Sequence, residues 1–147
     1  MTPRAIVLVL ALAAGGLVLW RIAPATTTRV QAEPPGPYAG RANPRSADAS
    51  AVTAGAALFQ ENCTSCHGDH ADGHGVAASG LTPPPADLRG STVVPEHSDA
   101  YLFYRLSEGK AGTAMPAFRG TLDEQERWAL VTYLRSLHPS SSHQPAP

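Results

Sequence analysis

Apolar and polar positions divide the chain into stretches of very different character. Ala5 to Trp20 is an unbroken apolar run of sixteen residues without a charge, bracketed by Arg4 and Arg21. At roughly 1.5 Å per helical residue the run falls short of a hydrocarbon layer about 30 Å thick. Arg4 and Arg21 could snorkel, and Ile22 and Ala23 lengthen the span. The other reading is a cleaved export signal with a basic start, an apolar centre and Ala23-Pro24-Ala25 as an A-x-A-like cut site. Residues 1–25 are therefore expected to be a membrane anchor or a signal peptide. Either one places the rest of the chain outside the cytoplasm, facing the periplasm from a bacterial inner membrane or soluble within that compartment.

Residues 26–47 show no apolar period and carry prolines at 34, 35, 37 and 44, which predicts an extended, solvated linker. Periodicity begins again near Asp48. Val52, Ala56 and Phe59, spaced by four and three, predict a helix over about Ala49 to Gln60. A second helix is expected over about Ser98 to Glu108. Ser98 would be its N-cap, Asp99 would lie in its first turn, Leu102 and Leu106 would share a face, and Gly109 would end it. The third opens on Thr121-Leu-Asp-Glu124 as a capping box, continues through Trp128, Val131, Leu134 and Leu137, and closes at Pro139. Between the first two helices lies a long stretch rich in Gly and Pro. Residues 139–147 read as a disordered tail. The folded part is thus residues 48–138, all-α, with three main helices and long loops. A domain of that size has a thin core and often needs a staple, a metal or a cofactor.

Charge and cysteine content narrow the options. The 147 residues carry 11 basic and 12 acidic side chains. Basic residues do not gather in the folded part, where residues 46–147 hold six basic against eleven acidic groups. That excludes nucleic acid as a partner, because a phosphate backbone is held by concentrated Lys and Arg. The only two cysteines, Cys63 and Cys66, stand too close together to staple distant segments.

Those cysteines belong to Cys63-Thr-Ser-Cys66-His67, the C-x-x-C-H signature of c-type haem attachment. Two thiols must reach the two vinyl groups of one porphyrin edge, and the next residue must turn its imidazole onto the iron. Cys63 and Cys66 are accordingly expected to form thioether links, with His67 as the proximal iron ligand. The competing readings are weaker. A thioredoxin-like dithiol lacks its βαβ surroundings, and a disulfide across two residues is strained. A zinc site drawing on His70 and His74 lacks the usual spacing between ligand pairs. For the sixth iron position, Met115 is the one methionine besides the initiator. It lies in a loop without apolar period, Gly109-Lys-Ala-Gly-Thr-Ala-Met115-Pro116-Ala-Phe118, so core packing explains it poorly. His97 is the reserve ligand. His70 and His74 read as solvated loop residues, and His138 and His143 as chain-end residues without a role.

Together, Gly55-Ala-Ala-Leu-Phe59, Cys63-Thr-Ser-Cys-His67-Gly68, Leu81-Thr-Pro-Pro-Pro-Ala-Asp-Leu88, Met115-Pro116-Ala-Phe118 and Trp128 to Leu137 resemble a class I, monohaem bacterial cytochrome c. The likeness extends over roughly residues 55–137. It implies an all-α fold around one covalent haem c, with crossed N- and C-terminal helices in which Gly55 and Phe59 meet Tyr133. It also implies a carbonyl from Pro83 to Pro85 accepting the Nδ1 proton of His67. The implied function is single-electron transfer between periplasmic or membrane redox proteins, with no catalytic residues. The rivals are a dedicated haem subunit of a periplasmic dehydrogenase or terminal oxidase, and a haem enzyme or gas sensor with a displaceable sixth ligand.

Overall fold

A computed structural model of the chain describes residues 33–138. The expected anchor or signal at 1–25, the start of the expected linker at 26–32 and the expected tail at 139–147 lie outside the described residues. After a 3-10 turn at Gly36–Tyr38 come helices α1 (Ala49–Asn62), α2 (Thr64–His67), α3 (Val93–Glu96), α4 (Asp99–Glu108) and α5 (Glu124–Ser136). Among the described residues there is no strand, and no helix is long and apolar enough to cross a membrane.

The fold is organised by the crossing of α1 and α5. The Asp48 carboxylate accepts from the Ser50 amide and starts α1, which buries Ala51, Gly55 and Phe59. This face lies one residue round from the predicted one: Val52 and Ala56 are only half-buried at its margin. Gly55 is where the backbones touch, since an added Cβ would fall 2.7 Å from the Ala129 carbonyl carbon and from Tyr133 Cβ. A glycine in mid-helix lowers stability by roughly 1 kcal/mol, and close approach offsets that cost. Phe59 packs on Tyr133 with ring centroids 5.4 Å apart, so the implied crossing is present.

Helix α4 follows the sequence expectation at both ends. Ser98 Oγ accepts from the Tyr101 amide, and Gly109 adopts φ +71° past the last turn. Its Phe103 stacks on Trp128 of α5 at 4.0 Å. Helix α5 starts two residues later than predicted. Its capping box is Asp123 with Glu126, not Thr121 with Glu124. The Thr121 and Leu122 amides instead bond back to the Phe118 carbonyl, and this turn carries Leu122 into the core. Two overlapping copies of the same spacing exist in Thr121-Leu-Asp-Glu-Gln-Glu126, and burial of Leu122 selects the second.

Residues 33–47 do not form the solvated linker expected of them. Tyr38 packs on Phe103 and Tyr104 at 6.1 and 5.2 Å, and its hydroxyl donates to Glu108. Arg41 lies over the Phe103 ring at 4.8 Å and pairs with Glu124. Buried Asn43 donates to Thr132 Oγ1 at 3.0 Å. The Arg45 carbonyl accepts from Thr132 Oγ1 at 3.2 Å, and with only such scattered contacts making the attachment no hydrophobic period announces it.

Candidate functional site

The C-x-x-C-H motif forms a single helical turn. The Cys63 amide closes α1 on the Phe59 carbonyl at 2.9 Å, and the Cys63 carbonyl then accepts from the His67 amide at 2.8 Å. Gly68, at φ +77°, reverses the chain, which returns over the turn. The Gly73 amide bonds the His67 carbonyl at 2.8 Å, Gly75 the Cys66 carbonyl at 3.1 Å and Ala77 the Ser65 carbonyl at 2.7 Å. Gly75 sits against that backbone so closely that an added Cβ would lie 2.5 Å from the Thr64 oxygen. Local sequence and local hydrogen bonding therefore hold the two thiols and the imidazole on one wall of a cavity.

That cavity measures about 540 Å³ and brings together all four expected site residues, Cys63, Cys66, His67 and Met115. Its size falls in the range of roughly 300–1,000 Å³ common to ligand and cofactor sites. The lining is largely apolar, with Phe59, Leu81, Leu102, Leu106 and Leu130 among its walls. His67 Nδ1 lies 2.9 Å from the Ala86 carbonyl. An imidazole that donates through Nδ1 leaves the Nε2 lone pair for a metal. Burial lowers the His67 pKa and so favours this neutral form, opposed in part by the Ala86 bond. The accepting carbonyl thus belongs to Ala86, not to the expected Pro83–Pro85 run. The three prolines line the cavity, and the chain turns its next carbonyl toward His67 as the Leu88 amide docks on the Ala71 carbonyl at 2.7 Å.

Burial pushes the Cys63 thiol up to about 11, with the neighbouring Cys66 adding to the shift, and both thiols are free. A dithiol redox centre works through a lowered thiol pKa, the opposite of what burial does here. Among the described residues no three His, Cys, Asp or Glu side chains gather to hold a metal ion.

Met115 is carried by the loop after α4. The Lys110 amide reaches the Met115 carbonyl at 3.3 Å, the Met115 amide reaches Thr113 Oγ1 at 3.2 Å, and the Phe118 amide anchors the loop's end on Leu106. His97 also lines the cavity, with Nδ1 2.7 Å from the Val93 carbonyl and its ring stacked on Tyr101 at 4.1 Å. His70 and His74 are exposed and do not line it. His143 lies outside the described residues. His138, expected to have no role, instead bonds the Leu88 carbonyl through Nε2 at 2.7 Å and ties the end of α5 to the loop beneath His67. No sequence signal distinguished Ala86 or His138, because each acts through a contact with a distant segment.

An apolar cavity presenting two thiols, an available imidazole nitrogen and a thioether sulfur fits a covalently held haem. Residues 50–134 match the family described as cytochrome c oxidase, cbb3-type, subunit III. The chain belongs to this family. It is 41% identical over 87 residues to a cbb3-type cytochrome c oxidase subunit FixP of a Bradyrhizobium species, covering 58% of this chain and 27% of the relative. It is 33% identical over 111 residues to the subunit CcoP of an Azospirillum species, covering 75% of this chain and 36% of the relative. The chain thus spans only about a quarter to a third of these relatives' lengths. Among solved structures, a chain of the Kuenenia stuttgartiensis reducing HAO-like protein complex Kustc0457/Kustc0458 superposes with a TM-score of 0.53 at 31% identity. That superposition covers 60% of this chain and 44% of the other. As a member of the cbb3 subunit III family the chain is a c-type cytochrome of all-α fold, and its single C-x-x-C-H motif means one haem c.

Proposed function

We propose that this cytochrome passes single electrons as the haem-bearing part of a terminal oxidase complex. The observation that carries the reading is the convergence of Cys63, Cys66, His67 and Met115 on one apolar cavity. Cys63 and Cys66 would form the thioether links, and His67 Nε2 and the Met115 sulfur would ligate the iron. When bound, the haem supplies a one-electron ferric/ferrous couple. The Ala86 carbonyl fixes the tautomer and plane of His67 and raises its basicity. The apolar lining excludes water, and two protein ligands leave no open iron position for a substrate, so the chain is a carrier and not itself catalytic.

The relatives' names support the rival reading, an oxidase subunit, over the freestanding carrier that the sequence favours. Its partners are then redox proteins of that complex. The domain works on the periplasmic side of the inner membrane, joined to it through residues 1–25 if these are retained.

Haem staining after denaturation should show the cofactor still on the chain, and Cys63→Ala with Cys66→Ala should abolish the stain. Met115→Ala should remove the weak ferric band toward the red that marks thioether ligation. Ready binding of carbon monoxide by the ferrous wild type would overturn the carrier reading in favour of an enzyme or gas sensor.

A further inference from the structure

We propose that Arg105, with Lys110, forms the carboxylate-binding end of the cavity and holds the haem propionates; this inference rests on the haem reading above. Helix α4 forms one wall of the cavity. Leu102 and Leu106 are buried and line the cavity, whereas Tyr101 and Arg105, each one position earlier, line it while only half-buried. One helix therefore presents an apolar wall that turns cationic at its margin. A haem has the same division, an apolar disc with two carboxylates on one edge.

The guanidinium of Arg105 is already oriented for such a partner. Its Nε donates to the Tyr101 hydroxyl at 2.9 Å, and its central carbon lies 4.9 Å from the Tyr101 ring centroid and 4.8 Å from that of Tyr104. These contacts leave both terminal nitrogens for a bidentate carboxylate, and holding the fork in place reduces the entropy lost on binding. Among the described residues, Arg41, Arg45, Arg119 and Arg135 each pair with a carboxylate of the protein, whereas Arg105 and Lys110 pair with none. No Asp or Glu lines the cavity. An anionic edge entering it meets cations alone. The other ionisable groups facing the same space are His67, His97, Tyr101, Cys63 and Cys66.

A cation fixed beside the propionates keeps them ionised and opposes the extra positive charge of ferric haem. The test is a spectroelectrochemical titration of the full-length holoprotein between acid and alkaline pH. Arg105→Gln should lower the midpoint potential at alkaline pH by about tenfold in the oxidised-to-reduced ratio, or about 59 mV for one electron. It should also move the pH-dependent part of the profile to higher pH. Arg105→Lys should retain most of the wild-type profile. Tyr101→Phe, which keeps the ring and releases the guanidinium, should shift both quantities in the same direction by less. It decides the matter if Arg105→Gln does not yield holoprotein. Repeating the titration in His97→Gln assigns the pH dependence to the carboxylates if the profile persists. Unchanged profiles in variants that still carry haem, even with reduced stability, would overturn the assignment and leave the haem reading intact. Absence of covalent haem from the wild type would instead overturn the reading on which it rests.

Discussion

The His67 and Met115 sides of the cavity are built differently. Beneath His67 the backbone is bonded repeatedly to itself, with Gly68, Gly73, Gly75 and Ala77 all donating into the C-x-x-C-H turn. The Ala86 carbonyl fixes the ring, and His138 fixes the neighbouring Leu88 carbonyl. Around Met115 the main chain closes on itself through a 3.3 Å bond from the Lys110 amide to the Met115 carbonyl and a 3.1 Å bond from the Thr113 amide to the Lys110 carbonyl, and the Thr113 hydroxyl supplies two more, one to the Met115 amide and one to the Lys110 carbonyl. The first side is held in place by the protein alone. The second has fewer internal bonds, so a bond from Met115 to iron would contribute a larger share of its order. If His67 and Met115 ligate the iron as proposed, the fold positions the first ligand and the iron bond orders much of the second.

Glycine substitutions test that contrast most directly. Gly75→Ala places a Cβ 2.5 Å from the Ser65 carbonyl carbon and the Thr64 oxygen, backbone atoms that cannot move aside. The loop must lift from the C-x-x-C-H turn at about 3 kcal/mol, lowering the melting midpoint of the holoprotein by more than about 10 °C. Gly112→Ala, in the Met115 loop, meets nothing within 4 Å and carries only the strain of φ +75°. Its effect should be near 1 kcal/mol. Equal losses from the two variants, measured by thermal unfolding, would erase the distinction between the sides.

The smallest expected effect concerns residues 33–47. Burial raises the Tyr38 pKa, with the Glu108 bond and charge adding to it, whereas Tyr38 and then Arg119 lower that of Glu108. The neutral phenol and the charged carboxylate are thus the forms the fold prefers. Stability from the phenol is present below about pH 10 and fades as pH rises through its raised folded value; stability from Glu108 is present above about pH 4.3 and fades as pH falls through its lowered one. Tyr38→Phe should flatten both limbs of a stability-against-pH curve and lower its plateau by about 1 kcal/mol. If the curve is unchanged, this contact does not help hold residues 33–47 on the domain.

Much of the fold could be read from the chain because its signals are local. Ser98 and Gly109 bound α4 as their chemistry requires, and C-x-x-C-H declares its turn and its cofactor within five residues. Errors arose where a local pattern had two solutions or a distant partner. The capping spacing at Thr121 was valid but lost to its overlapping copy at Asp123, because Leu122 had a core to enter. The face of α1 was misjudged by one residue because Gly55, invisible to a hydrophobic count, marks its centre. Residues 33–47 resembled a linker because Tyr38, Arg41 and Asn43 bind singly to partners as many as 89 positions away.

By itself, then, the sequence determined the three main helices and the attachment motif, since caps, periods and thiol spacing act over a few residues. Only the tertiary structure decided that Ala86 orients His67, that His138 supports the same loop, and that Arg105 stands unpaired at the cavity margin. Each of those depends on which distant atoms face one another once α1 and α5 have crossed, and no local spacing encodes that.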